Sequence, residues 1–412
     1  MQTSHDIVIS GLGALSPEGF GLDAHWQAVT DPRAKTQPSD HSLDAVQVRD
    51  YISDRRMLKA ISHLDGIGLA AIVGLKQHIA YQADRYDPYR VGLYVGSVPS
   101  SLASFDPYLE TMQVPHSKNS FVSVKEFGQT SQRSRPMTLL VGLLNNVLCY
   151  GSMLLEARGP NSNYTSLCLG AHHALIQGAW RLRRQQLDLA ISGGYTSRAH
   201  PADQASLAQH GLVYPAEPGN EWRLQPFASQ QNQEGFLFAD MAAFVSLERR
   251  AKVSERGGSI LGTYCGGAIT SDGLGLMRFD PSGEGLERAI HGALREAKVS
   301  WQQIGLIFAA APGFEGLETM EAQVLTRLAE KSSEAPALAC TSAVFGSGME
   351  AGGILELGLI GKLYDAGHIP GILRPARPVA GFGTAVDPHK PYSLILRTSP
   401  WGEYSCVVIR KD

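Results

Sequence analysis

Short apolar runs of strand length alternate along this chain with longer stretches of helical period, and that alternation restricts it to layered α/β architectures. DIVISGLGAL at 6–15 reads as a buried strand leading into a glycine-rich turn. HLDGIGLAAIVGLKQHIAY at 63–81 carries helical period, and VGLYVGSVPSS at 91–101 reads as strand and turn. A helix is predicted over 170–186 and a strand over 187–195. Two more strands, at 240–252 and 259–273, flank the break RRAKVSERGGS. A helix over 283–299, an apolar strand at 305–313 and an alternating strand at 403–411 complete the pattern. Strands that are apolar on both sides need helices over both faces, so the class is α/β.

At 412 residues, two domain-sized units are expected, 1–250 and 251–412, divided at the break near 250. A net charge of −3 argues against a nucleic-acid surface. No window reaches the roughly 18–20 apolar residues of a membrane span, and MQTSHDIVIS lacks the basic and apolar regions of a secretory leader. The five cysteines (149, 168, 265, 340, 406) form no CxxC pair and no metal spacing with histidine. Reduced thiols, a cytoplasmic location and no metal or cofactor are therefore expected. GLGALSPEG at 11–19 lacks the GxGxxG spacing of a dinucleotide loop. The polar stretch 102–136 is too long for a plain connection and is expected to serve an interface or a site.

Cys168 closes the run GPNSNYTSLC and directly precedes the predicted helix. A thiol there faces backbone N–H groups and the positive end of the helix dipole, which favour the thiolate. From the local pattern alone, the preferred reading of the same residue is a small buried hydrophobe. His172 and His173 lie within one turn of it, yet packed, hydrogen-bonded imidazoles are the preferred reading over a catalytic base.

Several landmarks occur in a fixed order: IVISGLGALSPEG at 7–19, the Gly159-Pro160 pair before Cys168, RLRRQQLDLAISGG, PFASQQNQEGFLFADMAAFVSLE at 226–248, SDG at 271–273 and GHIPGILRPARP at 367–378. Together they resemble the β-ketoacyl synthase branch of the thiolase superfamily across nearly the whole chain. The resemblance implies a thiolase-like five-layer αβαβα fold made of two similar halves, with Cys168 in the nucleophile's place. It also implies two histidines that polarise a malonyl thioester and a lysine that orders one of them. None of the three is present. Anchoring on Glu321-Ala322-Gln323 puts Ala310 at the first histidine and Glu318 at an aspartate of the family motif. In CTSAVFGSGMEAGG at 340–353, Gly346 is kept, Ser342 stands at the lysine and Ser347 at the second histidine. Neither alanine nor serine supplies an imidazole's donor or base. Gln233 and Asp240 replace an arginine and a glutamate, and Pro400-Trp401 replace a flexible glycine-rich gate.

Loss of all three residues together is similar to the chain length factor, the silent ketosynthase β subunit of type II polyketide synthases. That likeness implies a heterodimer with an active ketosynthase, limitation of chain length by closing its acyl tunnel, and acyl carrier protein as the carrier of the chain. Anchoring on Arg158-Gly159-Pro160 assigns Asn145, Val147, Leu148 and Cys149 to the tunnel-closing or interface positions. Known members commonly carry glutamine at the nucleophile. The retained Cys168 is thus vestigial, or it accepts acyl groups as a cysteine acyltransferase or thioesterase on the same fold.

Overall fold

The computed structural model describes residues 3, 5–31, 43, 54–97, 138–141, 143–166, 168–197, 207–213, 224–228, 235–275, 277–330 and 335–412. The excursion at 102–136, Gln233 and the turn after Ser97 lie outside these residues. The strands are β1 Ile7–Ser16, β2 Gly19–Phe20, β3 Val91–Ser97, β4 Ser162–Thr165, β5 Leu189–Thr196, β6 Met241–Arg249, β7 Gly262–Ser271, β8 Ile304–Phe308, β9 Ala337–Ala339, β10 Tyr392–Ser399 and β11 Glu403–Arg410. They hydrogen-bond in the order β4-β3-β5-β6-β1-β7-β11-β10-β8-β9, with β2 paired to β1 alone.

The order contains one pattern twice. β4, β3 and β5 run parallel, β6 runs against them, and β1 against β6. Likewise β9, β8 and β10 run parallel, β11 runs against them, and β7 against β11. The two patterns meet where Ile7–Ile9 pairs with Gly262–Tyr264.

Helices complete the layers. α1 (Gly21–Thr30) leads out of β2. α2 (His63–His78) and α3 (Asn146–Leu155) cover one face of the first pattern. The start of α2 is fixed by a capping box: Ser62 accepts from the Asp65 amide, and Asp65 accepts from the Ser62 amide. α4 (Gly170–Arg183) packs on the opposite face, against β3 and β5, and also reaches β7. α5 (Glu284–Ala297) lies on the outer face of the second pattern with α6 (Glu315–Ala329) beside it. After the short α7 (Ser342–Phe345), α8 (Leu355–Ala366) packs inside against β1 and β7. The sequence from one surface to the other is αβαβα, the expected thiolase-like arrangement. The central layer belongs to one apolar core that includes Ala171, Leu175 and Ala179 of α4 and Leu355, Leu359 and Leu363 of α8.

Three expectations are corrected. The chain makes no turn at Gly11 or Gly13, because β1 continues to Ser16. A Cβ on Gly13 would lie 2.0 Å from the Ala71 carbonyl oxygen, so the glycine is there to admit α2. The strand expected over 305–313 ends at Phe308. The strand expected over 240–252 ends at Arg249, and a short helix, Arg250–Glu255, fills the break before the next strand.

Candidate functional site

Cys168 lies immediately before α4, and its thiol is 2% exposed. It packs among Leu169, Leu212, Phe236, Phe238 and Met349, with Phe314 and Trp401 against them. Burial pushes this thiol up to about 12; Arg397 and the Ser399 hydroxyl pull it down, while Glu350 and Glu403 add to the rise. The helix end that should have favoured a thiolate is thus outweighed by loss of water.

The positions read as lost catalytic residues come together in the loop after β8. The Ala310 and Ala311 amides donate to the buried Glu321 carboxylate at 2.7 and 3.0 Å. Glu318, one turn earlier on α6, accepts from Gly313 at 2.8 Å and Phe227 at 2.7 Å. Burial raises both carboxyls to about 7. The Ser342 hydroxyl donates to the Ala311 carbonyl at 2.7 Å. Ser347 donates to the Pro312 carbonyl at 2.9 Å and accepts from the Leu237 amide at 2.9 Å. Leu237 lies between Phe236 and Phe238, which wall the thiol, so this stitched loop and the Cys168 pocket share one segment.

Two charged residues of this region escaped sequence reasoning. Glu350 accepts from the Ser166 amide at 2.9 Å and, in a shorter bond, from the Gly170 amide. Arg397 of β10 donates to the Ser347 carbonyl at 2.7 Å, and its Nε has no hydrogen-bond partner among the described residues. A glutamate inside the small-residue run GSGMEAGG was the available signal for the first. The two histidines behave as packed imidazoles. His172 is fully buried with Nδ1 2.7 Å from the Ser405 hydroxyl, and burial lowers it to about 3. His173 stacks on Tyr164.

Pro400 and Trp401 form the turn of the β10–β11 hairpin, closed by the Gly402 amide on the Ser399 carbonyl at 3.0 Å. The indole is part of the wall around Cys168. Val147 and Leu148 are buried in this chain's own outer core with Ile72 and Leu93, whereas Asn145 and Cys149 face outward. The buried asparagine is Asn146, whose amide donates to the Leu140 carbonyl at 2.9 Å and to Asp65 at 3.2 Å. Asp240 accepts from the Leu43 amide at 2.8 Å. An open groove of about 570 Å³ runs along α6 next to the Glu318 cluster, sharing Phe227 and Glu318 with it and continuing past Gln323, Arg327 and Arg377.

Residues 67–252 match the family model for the N-terminal domain of β-ketoacyl synthase, and residues 261–373 match that for its C-terminal domain. These spans cover well over half of the chain, which therefore belongs to the β-ketoacyl synthase family. Within it, the chain is 25% identical to a Streptomyces coelicolor protein that carries the name polyketide beta-ketoacyl synthase 2, over 99% of this chain and 95% of that one. It is 22% identical to 3-oxoacyl-[acyl-carrier-protein] synthase 2 of Coxiella burnetii, over 85% and 83% of the two chains. Among solved structures, the ishigamide ketosynthase/chain length factor superposes with TM-score 0.81 at 16% identity, covering 99% of each chain. A type II polyketide acyl carrier protein complex with its ketosynthase gives 0.78 at 16% identity, covering 99% of this chain and 100% of the other.

Proposed function

We propose that this chain is a catalytically silent ketosynthase-like subunit, a chain length factor, that pairs with an active ketosynthase and closes the tunnel for a chain carried on acyl carrier protein. One observation carries the reading. Where a condensing enzyme needs two imidazoles and an amine, this chain has a methyl group and two hydroxyls, and both hydroxyls are already hydrogen-bonded to the 311–312 backbone. Decarboxylation requires donors aimed at the developing enolate, and hydroxyls committed to carbonyls supply none. The buried Cys168 and the indole beside it favour a filled pocket over an acyl-accepting one. Leu143 and Met153, on the segment assigned to the tunnel end, are 47% and 55% exposed, and Leu140 just before it is 46% exposed. Apolar exposure of that kind suits a surface that a partner covers. Two of the solved structures this chain resembles are a ketosynthase/chain length factor and a ketosynthase in complex with its acyl carrier protein, which supports the reading.

The test is co-expression with a ketosynthase from the same gene neighbourhood. Equal-stoichiometry copurification is expected, with no release of carbon dioxide from malonyl-acyl carrier protein by this chain alone. Cys168→Ala in the pair should leave turnover within about twofold, since a structural thiol contributes nothing to the transition state. A condensing homodimer, or acylation of Cys168 seen as a mass shift with acyl carrier protein thioesters, would refute the reading.

A further inference from the structure

Two amides flanking Cys168, those of Ser166 and Gly170, are not free to receive a charge from outside, because the chain's own Glu350 is bonded to them. One carboxylate oxygen accepts from the Ser166 amide at 2.9 Å and the other from the Gly170 amide. Gly170 is the first residue of α4, so this carboxylate sits on the positive end of the nucleophile helix. The fit is tight: a Cβ on Gly170 would lie 2.1 Å from Glu350 Oε2. Ser166 Oγ takes the next donors, accepting from the amides of Leu169 at 2.8 Å and Cys168 at 3.4 Å.

We propose that Glu350 is an internal plug, a carboxylate that occupies the anion-receiving end of α4 and holds Cys168 in its unreactive thiol form. Burial pushes the Glu350 carboxyl well above the usual range, while its bonds to the Gly170 and Ser166 amides and the nearby Arg397 pull it back down. Any negative charge on it adds to that of Glu403 from β11 against a thiolate, and Arg397 from β10 opposes both. The inference concerns the thiol alone and does not depend on the existence of a ketosynthase partner.

The experiment is site-resolved alkylation by iodoacetamide of the full-length protein between pH 6 and 10, read by peptide mass spectrometry. Exposed Cys149 reports reagent strength, and the fully buried Cys340 and Cys406 report general loosening. Glu350→Gly should raise the Cys168 rate about tenfold at pH 8, the effect of lowering a thiol pKa by roughly one unit. Glu350→Gln can accept only one of the two amides and should raise the rate about threefold. If the glycine variant does not fold, the glutamine variant decides alone. Cys168 labelling at the wild-type rate in the folded variants overturns the proposal. So does labelling that rises equally at Cys340 and Cys406.

Discussion

Ser342 and Ser347, proposed to stand where a condensing enzyme has its lysine and second histidine, are bound into the backbone instead. Each hydroxyl ties down a carbonyl in the buried loop after β8, and Ser347 also receives the Leu237 amide. Ser342→Ala leaves the Ala311 carbonyl unsatisfied and should cost about 1–3 kcal/mol in urea denaturation. Ser347→Ala orphans two backbone groups and should cost more than Ser342→Ala. Placing a histidine at Ala310, which is 2% exposed, should also destabilise, by about 1–3 kcal/mol from overpacking, without conferring decarboxylation of malonyl thioesters. Motif spacing could propose Ala310 through Glu321, and Ser342 and Ser347 through Gly346, because each motif keeps one residue that fixes its register. Glu350 was not legible that way, since the amides it binds are 184 and 180 residues away in sequence. Nor could spacing separate Asn145 from Asn146, where the choice of face depends on Leu140 and Asp65 closing around one of the two amides.

Among the elements, those with one solvent-facing side were the most readable. α5 buries Leu286, Ala289, Ile290, Ala293 and Leu294 at helical spacing and turns its charges outward. By contrast, α8 buries most of its first turns and shows no clear apolar stripe, and β9 has only three residues. β1 was misread at its end because glycine signals both a turn and a close approach, and only the presence of α2 distinguishes them. Gly13→Ala tests that account. Its Cβ would meet backbone atoms, the Ala71 oxygen at 2.0 Å and the Leu75 nitrogen at 2.4 Å. A loss of about 3 kcal/mol is expected, because backbone cannot yield as a side-chain tip can. Thermal or urea unfolding checks it, and no loss, or the small gain of an ordinary strand Gly→Ala change, would show that α2 is not wedged there.

At the scale of the molecule, α4 in the central layer and α6 in an outer one bury ionisable groups with shifts of opposite sign, which makes stability depend on pH in opposing directions. Glu318 and Glu321 titrate near 7 in the folded chain against a usual value of 4.5, so their contribution is present below pH 4.5 and is lost as pH rises towards 7. His172 has the opposite sign. Lowered to about 3 from 6.5 by burial, it is fully accommodated above pH 6.5, and its contribution is lost as pH falls towards 3. The difference between wild type and His172→Asn isolates it, because every other group is common to both. Asparagine keeps a donor for the Ser405 hydroxyl and does not titrate. Between pH 6 and 4, wild-type stability relative to the variant should fall by about 1.4 kcal/mol per pH unit, the limit for one proton taken up only on unfolding. Urea denaturation of both proteins at half-unit intervals measures that slope. Parallel curves would mean that His172 can be protonated in place, and that the layer between the two sheets is more open to water than its packing implies.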